Sequence, residues 1–159
     1  MAKMILIDQH ACTGCRQCEL ACSVHHTGTA NPARSRISTI KWESEGFYLP
    51  VVCQQCLEPA CATVCPTNAI SKETATDRVV VDHDRCIGCK MCVMACPFGA
   101  MGVDPHENRV SKCDLCDGAP TCVSFCEAGA LQFVEAEVAH LAKQRASGSR
   151  FAALVGAHR

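Results

Sequence analysis

The sequence predicts an α+β, loop-rich chain of short β-hairpins and short helices laid out by an internal duplication. Three observations carry this expectation. All sixteen cysteines of the 159 residues fall into four quartets of nearly the same internal spacing. The quartets alternate between two types along the chain. Between them, strand-like runs are joined by polar turns, and one Trp, one Tyr and five Phe are few for a self-sufficient hydrophobic core.

The quartets are Cys12, Cys15, Cys18, Cys22; then Cys53, Cys56, Cys61, Cys65; then Cys86, Cys89, Cys92, Cys96; and Cys113, Cys116, Cys122, Cys126. None is left over. ACTGCRQCELAC superposes on RCIGCKMCVMAC with a displacement of 74 positions, from Cys12 to Cys86. The second quartet, CQQCLEPACATVCPTNAI, matches the fourth, CDLCDGAPTCVSFCEAGAL, apart from one extra residue between its second and third cysteines. Duplication of a two-motif unit explains this layout, with pseudo-repeats at 4–70 and 78–134 inside one domain of residues 1–134.

Taken in order, each CxxCxxC run forms a loop able to curl around one cluster. Gly14 and Gly88 stand where the backbone must approach sulfur or adopt positive φ. Cys18 and Cys22, like Cys92 and Cys96, are i and i+4 and share one face of a helical turn. In the long interval from Ser23 to Val52, ISTIKW and FYLPVV flank the polar Glu43 to Gly46 and predict a surface hairpin. Ala69-Ile70, a turn over Glu73 to Asp77, and Arg78 to Asp82 predict a hairpin feeding Cys86. Ala100 to Val103, Pro105 to Asn108, and Arg109 to Ser111 repeat it ahead of Cys113.

Residues 135–159 hold no cysteine and read as a helical tail. Val134, Val138, Leu141 and Ala142 recur at helical spacing, Glu135 and Glu137 suit a helix start, and Lys143 and Arg145 suit its end. Ser147-Gly148-Ser149 is expected to stop the helix, with a second apolar trio at Phe151, Leu154 and Val155. Such a tail packs on its own domain or docks a catalytic subunit or another copy of the chain.

The chemistry follows from the sulfur inventory. The opening MAKMILIDQH lacks a charged segment followed by an apolar one, which predicts a reducing, cytoplasmic setting and argues against disulfides. Zinc is the closest rival, but its structural sites combine two separated pairs rather than adding third and fourth cysteines at fixed offsets. CxxCxxCxxxC, followed by Pro66 and Pro97, is the spacing of bacterial ferredoxins, so sixteen thiolates imply four [4Fe–4S] clusters. The formal charge of −1 counts thiols as neutral, whereas each oxidised cluster with its thiolates carries about −2. An acidic holo protein excludes nucleic acid as a partner, and no apolar run nears the ~20 residues of a membrane span. No phosphate or dinucleotide loop, GxSxG or CxxxCxxC run is present, so the chain is expected to carry electrons without being an enzyme itself.

Several residues invite two readings. His25 and His26 could tune or ligate an outer cluster, or form a solvated loop. Trp42 could serve tunnelling or docking, or anchor its hairpin. Arg16, Lys90 and Lys112 adjoin cysteines and either raise cluster potentials or are ordinary surface charges. In two-cluster ferredoxins the fourth thiolate of a motif ligates the neighbouring cluster. Spacing alone leaves open which motifs exchange cysteines.

The four-motif order, with extra residues in the second and fourth motifs, resembles the four-cluster, ferredoxin-like electron-transfer subunits of molybdenum and tungsten pterin enzymes and some hydrogenases. The resemblance covers about residues 4–134 and implies a duplicated dicluster fold. It also implies that the outer motifs pair together and the inner motifs pair together. Carried onto this chain, the ligand sets are Cys12, Cys15, Cys18 with Cys126; Cys113, Cys116, Cys122 with Cys22; Cys53, Cys56, Cys61 with Cys96; and Cys86, Cys89, Cys92 with Cys65. NPARSRI (Asn31 to Ile37), KWESEG (Lys41 to Gly46) and VVCQQCLEPAC (Val51 to Cys61) are similar to the small iron–sulfur subunits of tungsten aldehyde oxidoreductases. That likeness implies a catalytic tungsto- or molybdopterin partner and a flavin- or NAD-linked subunit. Formate dehydrogenase, hydrogenase and other molybdopterin reductases are the alternative hosts, and a zinc-stapled assembly protein is the alternative of another class. Ser23 after Cys22 and Glu127 after Cys126 depart from the family's proline, which bears on exposure or potential of the outer pair.

Overall fold

The computed structural model describes residues 3–154. It mixes short helices with four two-stranded antiparallel ribbons. In chain order the elements are β1 (Lys3–Ile7), α1 (Gln17–Thr27), β2 (Ser38–Trp42), β3 (Phe47–Val51), α2 (Ala60–Thr63), β4 (Ile70–Lys72) and β5 (Val79–Val81). They continue with α3 (Met91–Ala95), β6 (Met101–Val103), β7 (Val110–Lys112), α4 (Thr121–Ser124), β8 (Leu131–Glu135) and α5 (Ala136–Leu154).

The three hairpins expected from the sequence form where strand-like runs flank polar turns. β4 pairs β5, β6 pairs β7, and β2 pairs β3. The first two turns are built alike. Asp77 N–H donates to Glu73 O at 2.9 Å, Asn108 N–H donates to Asp104 O at 2.8 Å, and Asp77 and Asn108 each take a left-handed φ that Asp and Asn tolerate. Trp42 leans on Phe47 across the β2–β3 ribbon, ring centroids 5.3 Å apart, which is the anchoring role.

A fourth ribbon is not legible in the sequence. β1 pairs β8 from Lys3↔Glu135 to Ile7↔Leu131, and Asp8 N–H extends it to Ala130 O at 2.8 Å. Ile5 and Leu131 from this ribbon enter a first core with Ile37, Val52, Leu115, Cys18, Cys22, Cys113 and Cys122. A second core gathers Ile70, Val79, Met101, Val110 and Cys92. The buried cysteines of the outer quartets sit in the first core and Cys92 in the second, while Cys53 of the second quartet packs against the first. Arg34 ties the first to the second by pairing with Asp104 at 2.8 Å and Glu107 at 2.7 Å.

The departure from proline at Ser23 changes helix length, whereas α4, with Glu127 after Cys126, is as short as α2 with its Pro66. Pro97 holds Cys96 in extended backbone (ψ 111) and ends α3. Ser23, fully buried, lets α1 run another turn to its left-handed cap at Gly28, donating to Leu20 O at 2.9 Å and accepting from Asn31 N–H at 3.1 Å.

Two expectations for the tail fail. Val134 and Glu135 lie in strand β8, so the helix starts at Ala136. Ser147-Gly148-Ser149 does not stop it: α5 continues to Leu154, because one interior Gly costs only ~1 kcal/mol of helix propensity and no proline follows. Lys143 and Arg145 are therefore mid-helix. Ala139 is buried where α5 leaves the β1–β8 ribbon, while Val138 and Leu141 are each 52% exposed. Val155 and the side chains of Phe151 and Leu154 lie outside the described residues.

Candidate metal centres

Each cysteine loop is shaped by left-handed residues at matched positions. Gly14 and Arg16 have φ of 68 and 62, and Gly88 and Lys90, their equivalents, have 71 and 62. In the fourth quartet Leu115, Cys116 and Asp117 are left-handed in succession. Such backbone turns the loop inward on its own sulfurs. Arg16 and Lys90 therefore have a conformational duty, at about 1–2 kcal/mol for a non-glycine residue, besides any electrostatic one. Glu19, buried beside Cys18, accepts from Arg16 Nε at 2.5 Å and from Thr39 N–H at 2.6 Å, which locks the loop onto the β2–β3 hairpin.

Gly14 and Gly88 separate two requirements. A Cβ at Gly14 would stand 2.5 Å from Tyr48 Cδ1, whereas one at Gly88 meets nothing within 4 Å. Both substitutions carry the left-handed cost of about 1–2 kcal/mol, and only Gly14→Ala adds a clash. Gly14→Ala is expected to lower the melting temperature of anaerobically purified protein by about 5 °C or more, and Gly88→Ala by less. Equal shifts in thermal unfolding would show that the Tyr48 contact yields freely.

Four groups of cysteines emerge from the packing of α1 on α4 and of α2 on α3. Cys12, Cys15, Cys18 and Cys126 line one cleft. Cys65, Cys86, Cys89 and Cys92 line another. Between these, Cys22, Cys113 and Cys122 share the first core with Cys53 packed against it, and Cys61 and Cys96 pack against the second. The groups adjoin in series, because Cys18, Cys22, Cys113, Cys122 and Cys53 meet at the first core, and Cys61, Cys65, Cys86 and Cys96 pack on the second. Of the sixteen, Cys15 and Cys89 are the exposed ones, and they belong to the first and last groups of the series.

The protonation chemistry suits metal exchange. Burial pushes the thiols of Cys18, Cys22, Cys56, Cys61, Cys92 and Cys122 up, and that of Cys113 up to about 12. Without metal these groups stay protonated, so iron must displace protons on binding. Donors stand ready for the thiolates: Arg36 N–H lies 3.3 Å from Cys22 Sγ, Ala69 N–H 3.3 Å from Cys65 Sγ, and Ala100 N–H 3.4 Å from Cys96 Sγ. At Cys65 burial works against the thiolate, yet Thr67 and Ala69 hold its thiol below the usual value. Sulfur-only donor sets of four, with N–H groups aimed at sulfur, fit an iron–sulfur cubane.

His25 and His26 gather with Cys116, their ligand atoms within 4.8 Å of one another. His26 Nε2 sits 3.7 Å from Cys116 Sγ and 3.6 Å from Asp114, and burial holds its imidazole below the usual value. His26 therefore stands against a cysteine sulfur while His25 is exposed, and both lie in the last turn of α1 rather than in a loop. Lys90 remains at the surface, bonded to Asn108 Oδ1 at 2.9 Å. Lys112 does not: it is 4% exposed.

Residues 44–136 match the family described as the 4Fe-4S dicluster domain, which takes in the second, third and fourth quartets. Residues 9–27, with the first quartet, match a 4Fe-4S binding domain. The chain belongs to the 4Fe-4S dicluster family. Membership makes this dicluster protein an iron–sulfur electron-transfer protein of the type that serves as a subunit of oxidoreductase complexes. It is 43% identical over 126 residues to the polyferredoxin-like subunit of an aliphatic sulfonate oxidoreductase of Pyrococcus furiosus, covering 79% of this chain and 72% of that one. It is 38% identical over 145 residues to the B subunit of the anaerobic dimethyl sulfoxide reductase of Escherichia coli, covering 80% and 70%. Among solved structures, a chain of the BamBC active site complex of benzoyl coenzyme A reductase, as isolated, is similar at a TM-score of 0.52 and 27% identity, covering 98% and 95%.

Proposed function

We propose that this dicluster protein binds four [4Fe–4S] clusters and relays single electrons to or from a catalytic subunit. What supports the reading is that the fourth cysteine of one quartet lies with three of another in two clefts, Cys126 with Cys12, Cys15 and Cys18, and Cys65 with Cys86, Cys89 and Cys92. Cys12, Cys15, Cys18 and Cys126 would hold the first cluster, and Cys22, Cys113, Cys116 and Cys122 the second. Cys53, Cys56, Cys61 and Cys96 would hold the third, and Cys65, Cys86, Cys89 and Cys92 the fourth. When bound, each cluster supplies a one-electron couple. The chain's own residues fix the separations, pack Ile37, Val52 and Leu115 against Cys22, Cys113 and Cys122, and donate N–H groups to the thiolates.

The host we favour is a tungsten aldehyde oxidoreductase, in the cytoplasm, with a flavin- or NAD-linked subunit as the onward partner. Its support is the set of segments around Asn31 to Ile37, Lys41 to Gly46 and Val51 to Cys61. The alternative hosts are a formate dehydrogenase, a hydrogenase or another molybdopterin reductase; a zinc-stapled assembly protein is the alternative outside electron transfer. Among the described residues no helix is long and apolar enough to cross a membrane. Anaerobic affinity purification under native expression, followed by metal and pterin analysis, tests the host. Tungsten with pterin is the expected result, molybdenum moves the chain to an alternative host, and recovery of the chain alone overturns a catalytic partner.

The tail supplies the docking reading. α5 extends beyond the β1–β8 ribbon with Val138 and Leu141 exposed, so we assign residues 1–134 to the cluster domain and the following helix to assembly with the catalytic subunit or a further copy of the chain. Strand β8 ends at Glu135, so truncation after that residue spares the ribbon. The truncated protein is expected to keep its iron and lose most of its complex in native mass measurements. Unchanged assembly would sink the docking role.

A further inference from the structure

The most anomalous charge in the molecule is Lys112. Its position precedes Cys113 as Val52 precedes Cys53 in the matching quartet, and both are buried, Val52 at 0% and Lys112 at 4% exposure. An apolar side chain therefore satisfies the equivalent position, and a lysine there takes an ammonium out of water. Such burial is unfavourable unless the charge is balanced. Its Nζ donates to Val79 O and, at 2.7 Å, to Cys113 O, but carbonyls are dipoles and supply no net charge. Among the described residues no carboxylate pairs with it.

The missing negative charge is sulfur. Lys112 stands next to Cys113 and its Nζ donates to that residue's carbonyl, which also accepts from Gln55, the neighbour of Cys56 in sequence, so the second and fourth quartets meet at the ammonium. Those cysteines belong to the two central groups of the series. Gln55 fixes the same junction: its Nε2 donates to Cys113 O at 2.9 Å, and its Oε1 accepts from Val79 N–H at 2.9 Å. Val79 and Cys113 are thereby clamped around the ammonium.

We propose that Lys112 is the shared counter-ion of the two central clusters, a positioning residue that raises their reduction potentials relative to the two terminal ones. The inference rests on the four-cluster reading. A cluster gains negative charge on reduction, so a fixed positive charge within a buried site favours the reduced form. Because the ammonium is shielded from solvent, ionic strength screens its effect weakly.

The test is an EPR-monitored redox titration of the full chain, with iron counted in every sample. Lys112→Met is expected to shift the reduction equilibrium of the two central couples at least tenfold toward the oxidised form, ~59 mV for one electron. The terminal couples should move far less, and Lys112→Arg should restore the wild-type pattern. Unchanged potentials in iron-replete Lys112→Met overturn the proposal, as does an equal shift at all four couples. If Lys112→Met loses the central clusters while Lys112→Arg keeps clusters and potentials, the counter-ion role stands; loss in both variants assigns Lys112 to clamping alone. Wild-type protein without four clusters would overturn the prior reading instead, an outcome distinct from all of these.

Discussion

Anaerobically purified protein is expected to contain about sixteen iron and sixteen acid-labile sulfide per chain, and stripping that iron is expected to unfold it. Among the described residues the largest fully buried side chains are only Ile37, Leu115, Val52, Val79, Val110 and Ser23, and cysteines make up much of the first core. A metal–thiolate site contributes on the order of 10 kcal/mol in small metal-dependent domains, whereas a whole domain is stable by about 5–15 kcal/mol. Losing even two sites exceeds that margin. Removal of iron also returns protons to thiols such as Cys113, whose buried neutral form then has no metal to hold the loops together. Chelation under reducing conditions should abolish the cooperative thermal transition and expose the amides of β5 and β7 to hydrogen exchange. Stoichiometric zinc without labile sulfide, or an iron-free chain that keeps its transition, would end this account.

Cys12→Ser and Cys126→Ser are expected to damage the same cluster, although they stand near opposite ends of the sequence. Each should lower iron by about four atoms or convert one cluster to a three-iron form, with the same EPR signal lost. The physical ground is the packing of α1 on α4, which puts Cys126 in the cleft of Cys12, Cys15 and Cys18. Cys22→Ser, only four residues beyond Cys18, should leave that signal and remove the one lost in Cys113→Ser. A Cys22→Ser lesion shared with Cys53→Ser would show that the quartets exchange in another order.

The parts of this architecture that local chemistry determines are readable in the sequence. The hairpins at Ile70–Val81 and Met101–Lys112 follow from short strand-like runs around polar turns, and the need for Gly14 follows from its place in a curled loop. What depends on distant contacts is not readable. Met4 to Ile7 is too short a run to specify a strand until it meets Leu131 to Val134 across almost the whole sequence. Arg16 and Lys90 read as charges, because nothing in their chemistry signals a left-handed backbone. Lys112 reads only as a tuner or a surface charge, since burial at that position is a property of the assembled junction. The expected stop at Ser147 to Ser149 fails for the opposite reason: local helix propensity is weak, and the rest of α5 outweighs it.

Closure by the β1–β8 ribbon has a consequence for biogenesis. The second and third quartets are complete once Cys96 has left the ribosome, and each lies near the other in sequence. On the proposed ligand sets the first quartet waits for Cys126, and the ribbon closes when β8 pairs with β1 after Leu131 to Glu135 emerge. Long-range closure of this kind is slow and entropically unfavourable until its contacts form. The nascent chain is therefore expected to acquire its inner clusters first and its outer clusters only once residue 135 has emerged. During that interval Cys12, Cys15 and Cys18 would await a fourth thiolate, and a maturation factor that delivers iron and sulfide would find the two outer acceptor sites open only after the two inner ones.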